Sequence, residues 1–208
     1  MIVCLHGFLG QPDDWQFLAA SGFEVSAPNL FRGDRIPNEG DVLLGYSMGG
    51  RLALESLLAG ARYSRAVIIS AGLNLERGRE ERQSRDEEWA QRFESEDWDA
   101  LMEAWNAQPV LSGTVVERRE ADFSRAMLAR ALREWSPGTL APLAPRLGKL
   151  TIPILWVAGE RDTPYVEEGK RAVSLLPHGE LWICPDAGHR IPWERPQGLI
   201  DRLRRFLE

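Results

Sequence analysis

Apolar positions along the chain gather into six short runs, at residues 2–5, 23–27, 42–44, 66–70, 154–158 and 180–184. Each is continuously apolar or β-branched rather than alternating, as strands buried on both faces should be. Apolar residues at helical spacing occupy 14–20, 50–59, 165–175 and 196–207. Strand and helix in alternation predict an α/β chain with a mostly parallel, doubly wound sheet of about six strands.

The stretch 73–147 breaks that alternation. It is rich in Arg, Glu, Trp and Ala, and its pattern predicts helices over 76–95, 98–106, 114–119 and 123–135. So many helical residues between two strands predict a helical cap inserted before the penultimate strand, with Pro137, Pro142 and Pro145 marking the return to the core. The expected division is therefore a core of 1–72 and 148–208 and a cap of 73–147. Only about ten residues separate the loop Pro28-Asn29-Leu30-Phe31-Arg32-Gly33 from the next strand. That leaves no room for a full crossover helix, and it places 23–27 at a sheet edge.

Candidate chemistry begins at Gly45-Tyr46-Ser47-Met48-Gly49-Gly50, which follows an apolar run and opens an amphipathic stretch. That is the strand–turn–helix setting of a G-x-S-x-G elbow, where a tight turn lifts a serine to the start of a helix. A reactive serine needs a base, an acid to orient it and N–H donors for developing negative charge. Of three histidines, His6 follows the first strand and shapes a turn, and His178 lies before a strand, at the wrong end of the sheet. His189 follows the last strand and is the expected base. Asp162, just after the strand at 154–158, is the expected acid, with Glu160 as close competitor and Asp186 behind it. The order Ser47, Asp162, His189 is that of the α/β-hydrolase fold, and the backbone N–H groups of Phe8 and Met48 are the expected oxyanion donors.

Composition narrows the partners. The chain has 208 residues and a net charge of −6, which argues against a general nucleic-acid binder. No apolar run approaches the ~20 residues of a membrane span, and 1–5 reads as a core strand rather than a leader. Cys4 and Cys184 each sit in an apolar run, as free thiols in a reducing cytoplasm would. No Cys/His cluster has metal-ligand spacing, so neither a metal nor an organic cofactor is expected. Lysine occurs only at 149 and 170, so 23 of the 25 basic residues are arginine. Arginine suits planar recognition of carboxylates, although a GC-rich genome gives the same bias. A monomer or weak homodimer is the expected state.

The chain as a whole resembles the α/β-hydrolase superfamily, in a form trimmed at the N-terminus. A narrower likeness is carried by His6-Gly7-Phe8-Leu9-Gly10 with Asp14-Trp15, and by Gly45 to Arg51. It continues from Ala71-Gly72-Leu73 through Trp89-Ala90-Gln91-Arg92-Phe93 to Trp105-Asn106-Ala107-Gln108-Pro109-Val110. These segments resemble the 2-succinyl-6-hydroxy-2,4-cyclohexadiene-1-carboxylate (SHCHC) synthases, pyruvate-eliminating lyases of menaquinone biosynthesis. The resemblance implies a polycarboxylated substrate held by Arg51, just after the elbow, and by Arg82 from the cap. It further implies contacts from the elbow tyrosine Tyr46 and from Trp105. A third family arginine has Arg118 and Arg119 nearest to it, and Arg119 is taken. The plainer alternatives are a solvated helix position for Arg51, a charged outer face for Arg82 and cap core for Trp105. In the lyase reading Ser47 acts as a base, raised by His189 and Asp162. The alternatives are a carboxylesterase or thioesterase in which Ser47 is acylated, and a non-catalytic receptor using the cap pocket.

Overall fold

The structure, a computed structural model, describes residues 1–208. Six strands form one all-parallel sheet: β1 (Ile2–Leu5), β2 (Val25–Ser26), β3 (Glu39–Tyr46), β4 (Arg62–Ile69), β5 (Ile154–Gly159) and β6 (Gly179–Cys184). Their order in space is β2-β1-β3-β4-β5-β6. From β1 the chain steps outward to β2, then returns past β1 to β3, with Ile2 beside Val42 and Leu5 beside Gly45. This reversal opens a crevice between the carboxyl ends of β1 and β3, where ligands bind in open α/β sheets. His6 and Ser47 are the residues that follow those two strands.

Successive strand side chains point to opposite faces, so each apolar run feeds two cores. Val3, Leu5, Leu43, Ile68, Ile154 and Trp156 face one cluster, which includes Leu52 and Leu54 of α2 (Met48–Leu58) and Ala172 of α6 (Thr163–Leu175). Ile2, Cys4, Val42, Leu44, Val67 and Ile69 face the other. There they meet Leu18 of α1 (Gln16–Ala20) and Leu199, Ile200 and Leu203 of α8 (Pro196–Leu207). Leu199 and Leu203 are fully buried, which stabilises the fold by about 2 kcal/mol each.

Three helices lie between β4 and β5: α3 (Arg79–Ser95), α4 (Trp98–Asn106) and α5 (Arg125–Glu134). Asp97 caps α4, accepting from the N–H groups of Asp99 and Ala100 at 3.1 Å each. α3 and α5 are clipped together by Arg133, which reaches Glu87 at 2.7 Å and Glu94 at 2.6 Å. Their apolar faces, including Ala90, Phe93, Leu128 and Leu132, join the core cluster beneath.

Several expected elements differ. The helix expected over 114–119 is absent, and the chain is irregular there. Gly113 turns it with φ 113°, and the carbonyl of Arg118 accepts from Trp98 Nε1 at 2.8 Å instead of a helical partner. The helix expected over 14–20 begins as a 3-10 turn, Pro12–Trp15, before α1. The edge strand shrinks from 23–27 to two residues, and only a 3-10 turn, Leu30–Arg32, lies between β2 and β3. A short helix, α7 (Ile191–Glu194), follows His189 unannounced by any pattern. No helix is long and apolar enough to cross a membrane.

Candidate active site

The turn from β3 into α2 puts Ser47 at φ 52°, ψ −114°, a region that L-residues seldom occupy. Neighbouring groups hold it there. The Ser47 N–H donates to Ile69 O at 2.8 Å, and the Ser47 carbonyl accepts from Gly50 and Arg51 N–H. The turn also demands close backbone approach. A Cβ on Gly45 would collide with the Gly49 carbonyl, and one on Gly49 with the carbonyl of Leu5. Met48 is the first residue of α2, so its N–H has no intrahelical acceptor. The Phe8 N–H, in the turn after β1, donates to no protein group.

His6 shapes that turn, as its place after β1 suggested. Its ring meets Gly7 O through Nδ1 at 2.9 Å and Leu30 N–H through Nε2 at 3.0 Å. An N–H can donate only to the carbonyl and a bare nitrogen can accept only from the amide, so His6 is the neutral Nδ1–H tautomer. Burial lowers its pKa to about 4, which keeps it so.

The base and acid come from the ends of β6 and β5. His189 Nδ1 lies 2.7 Å from Asp162 Oδ2, and His189 Nε2 lies 3.0 Å from Ser47 Oγ. Both His189 and Asp162 are buried. The competing acids are placed elsewhere: Glu160 accepts from the Asp186 N–H on the exposed side. Glu194 braces the two loops, its Oε2 accepting from Gly188 N–H at 2.6 Å and from Arg161 at 2.9 Å. Tyr165 packs edge-on against His189, with ring centroids 4.6 Å apart.

Ser47 and His189 open into a cleft of about 510 Å³, mouth included, between the strand ends and the helical stretch. Phe8, Tyr46, Trp105, Arg118, Arg190 and Trp193 are among its walls. Phe8 and Trp105 rings sit 4.8 Å apart, with Phe93 behind them. The Tyr46 hydroxyl is pushed far up in pKa by burial and stays protonated.

The arginines divide. Arg51 is buried, and its Nη1 donates to Trp135 O at 2.7 Å and Asn74 Oδ1 at 3.2 Å. Neither acceptor is charged, and burial lowers its pKa to about 10. Arg82 is paired with Asp86 at 2.8 Å, and both Arg51 and Arg82 act electrostatically on Tyr165, the neighbour of His189. Arg119 does not join the site. Its side chain is 83% exposed and pairs with Asp122 at 2.9 Å. Arg118 lines the cleft instead, held by Asp14 at 2.8 Å. In a non-helical segment neighbouring side chains leave on different sides, so a one-residue choice decides which arginine faces inward.

Arg190, Asn106, Trp193, Tyr165 and Glu194 at this site went unread in the sequence. For Arg190 a signal existed: a lone cation directly after the histidine, in an otherwise apolar His-Arg-Ile-Pro run. No group of three or more His, Cys, Asp or Glu side chains is arranged to hold a metal ion.

Comparison with known proteins agrees with this architecture. A 2-succinyl-6-hydroxy-2,4-cyclohexadiene-1-carboxylate synthase of Escherichia coli is 30% identical, over 99% of this chain and 93% of that protein. The synthase of the same name from Salmonella typhimurium is 28% identical over the same shares. Among solved structures, MenH from S. aureus superposes with a TM-score of 0.85 at 23% identity, over 99% of this chain and 92% of that one. A thermophilic esterase from Thermogutta terrifontis, in a malate-bound structure, gives 0.76 at 19% identity, over 99% and 88%. Residues 29–202 match the model of the alpha/beta hydrolase family. That match runs from the loop after β2 into α8 and takes in Ser47, Asp162 and His189 together: the chain belongs to the alpha/beta hydrolase family.

Proposed function

We propose that the protein is a lyase of menaquinone biosynthesis, eliminating pyruvate from a polycarboxylated cyclohexene precursor to give SHCHC. The observation that carries this reading is Arg51: a buried guanidinium one helical turn after Ser47 that meets only neutral acceptors. A buried cation without a counter-ion is unfavourable, and a substrate carboxylate supplies one. The near full-length likeness to SHCHC synthases supports the same chemistry. Residues 73–147 serve as a cap that encloses the ring, with Trp105 and Tyr46 as its apolar contacts and Arg82 as a second cation.

The steps follow from the geometry. His189, oriented by Asp162, accepts the Ser47 proton. Ser47 Oγ then takes a proton from the substrate ring, and the electron pair delocalises as an enolate. The Phe8 and Met48 N–H groups hold that charge. The C–O bond to the pyruvyl group breaks, and the departing enolpyruvate takes the proton from His189 to become pyruvate. No step requires a metal. The two buried free thiols, Cys4 and Cys184, suit a reducing cytoplasm.

The second reading, an esterase in which Ser47 is acylated, draws on the same triad and on the esterase fold neighbour. Pyruvate release from the enzymatically prepared precursor, measured beside hydrolysis of a short nitrophenyl ester, separates the two. Fast pyruvate release with feeble ester hydrolysis is expected. Ser47→Ala should lower turnover by at least ~10³-fold while leaving substrate affinity near wild type. Ester hydrolysis alone, through an isolable acyl-enzyme, would replace the lyase with the esterase.

A further inference from the structure

Three arginines are buried: Arg51, Arg190 and Arg202. Arg202 meets the carboxylate of Glu180. Arg190 does not meet any. Its Nη1 donates to Thr114 O at 2.5 Å and its Nη2 to Asn106 Oδ1 at 2.6 Å, both neutral acceptors. Those bonds use two of five N–H donors. Arg190 lines the same cleft as Ser47, whose walls also include Trp105 and Trp193.

Nearby charges act on it in both directions. Arg118 shares the cleft and has the same sign, but its charge is taken up by Asp14. The two acids nearest in sequence face other partners: Asp186 pairs with Arg195, and Glu194 Oε2 accepts from Arg161 and the Gly188 N–H. Burial is the largest influence and lowers the Arg190 pKa; Arg118 adds to it while Tyr46 and Glu194 oppose it, and the residue stays a cation at neutral pH. This cleft therefore carries a positive charge that no protein carboxylate neutralises by contact, and aromatic walls flank it.

We propose that Arg190 is a further substrate-binding residue, holding a second carboxylate of the substrate within the Trp105-lined cleft, apart from Arg51. It rests on the reading of the substrate as a polycarboxylated ring, and specifies that two of its carboxylates are held by two separate arginines. A planar fork suits a carboxylate bound through two parallel bonds. The bonds to Asn106 and Thr114, both outside the sheet, fix the fork in place before the ligand arrives.

The test uses stable aromatic probes and needs no turnover. ortho-Succinylbenzoate carries two carboxylates, benzoylpropionate only the side-chain one, and ortho-butyrylbenzoate only the ring one. Calorimetric titration of the wild type should show the dicarboxylate favoured over each monocarboxylate by about 10- to 100-fold. In Arg190→Gln, which keeps an amide donor for the neighbouring carbonyl, the advantage over one of the two should vanish and the other persist. Arg190→Lys, which keeps the charge, should recover part of it. If Arg190→Gln retains both advantages, or if the wild type shows none, the proposal is wrong. Failure of the lyase reading shows separately, as absence of pyruvate release by the wild type.

Discussion

All six residues of β5 are buried, whereas α3 buries three of its seventeen. The two regions meet at one cleft but are built by different means. The sheet is held by apolar side chains packed on both faces, so the positions of Ser47, Asp162 and His189 follow from strand register and tolerate little change. The helices between β4 and β5 each bury one apolar face, with Phe93, Leu101 and Leu128 fully enclosed, and their outer faces are joined by arginine–carboxylate pairs such as Arg133 with Glu87 and Glu94. Exposed pairs of this kind contribute little each. Ser47, Asp162 and His189 thus stand on the stiff region, while Trp105 and Arg118 reach the cleft from the other.

The comparison breaks most readily at the elbow. Gly45→Ala places a methyl against the Gly49 carbonyl, where no flexible side chain can yield. It should destabilise the protein by about 3 kcal/mol in urea denaturation and abolish activity; a variant as stable as wild type would show that the elbow is looser than its contacts imply. A second effect should come from His6. Its folded pKa of about 4 lies below the usual ~6.5 of an unfolded histidine. Between those values the unfolded chain binds the extra proton. The stability is therefore present above pH ~6.5 and is lost as pH falls towards 4. From pH 7 to 5 the loss should be about 2 kcal/mol, and His6→Asn should flatten that slope. The smallest effect belongs to the cap. Arg133→Ala should cost no more than ~1 kcal/mol, and a loss the size of the Gly45 change would mean that α3 and α5 are as stiffly built as the sheet.

The same contrast governs what was legible in the sequence. Strands buried on both faces leave continuous apolar runs, so five of the six strands could be placed to within a few residues. β2 is only half-buried at the edge, and its run overstated its length. The convergence of Ser47, Asp162 and His189 was legible because each follows a strand, and strand ends are where the sheet delivers side chains. Residues 114–119 mix two valines with charged residues in a pattern that predicts helix, yet their contacts are tertiary: the Arg118 carbonyl to Trp98 and its guanidinium to Asp14. No local pattern encodes such partners, and the choice of Arg119 over Arg118 failed with it. Arg190 carried one local sign, its place beside His189, but its burial could not be read because its acceptors lie 76 and 84 residues away.

Phe8 belongs to both regions at once. Its backbone N–H is the proposed oxyanion donor, while its ring is wedged among Phe93 and Trp105 of the cap and Phe31 of the loop after β2. Any change that displaced α3 and α4 would withdraw two of the three rings that steady it. The direction of that N–H is therefore tied to the aromatic packing of α3 and α4 as well as to the strand that precedes it.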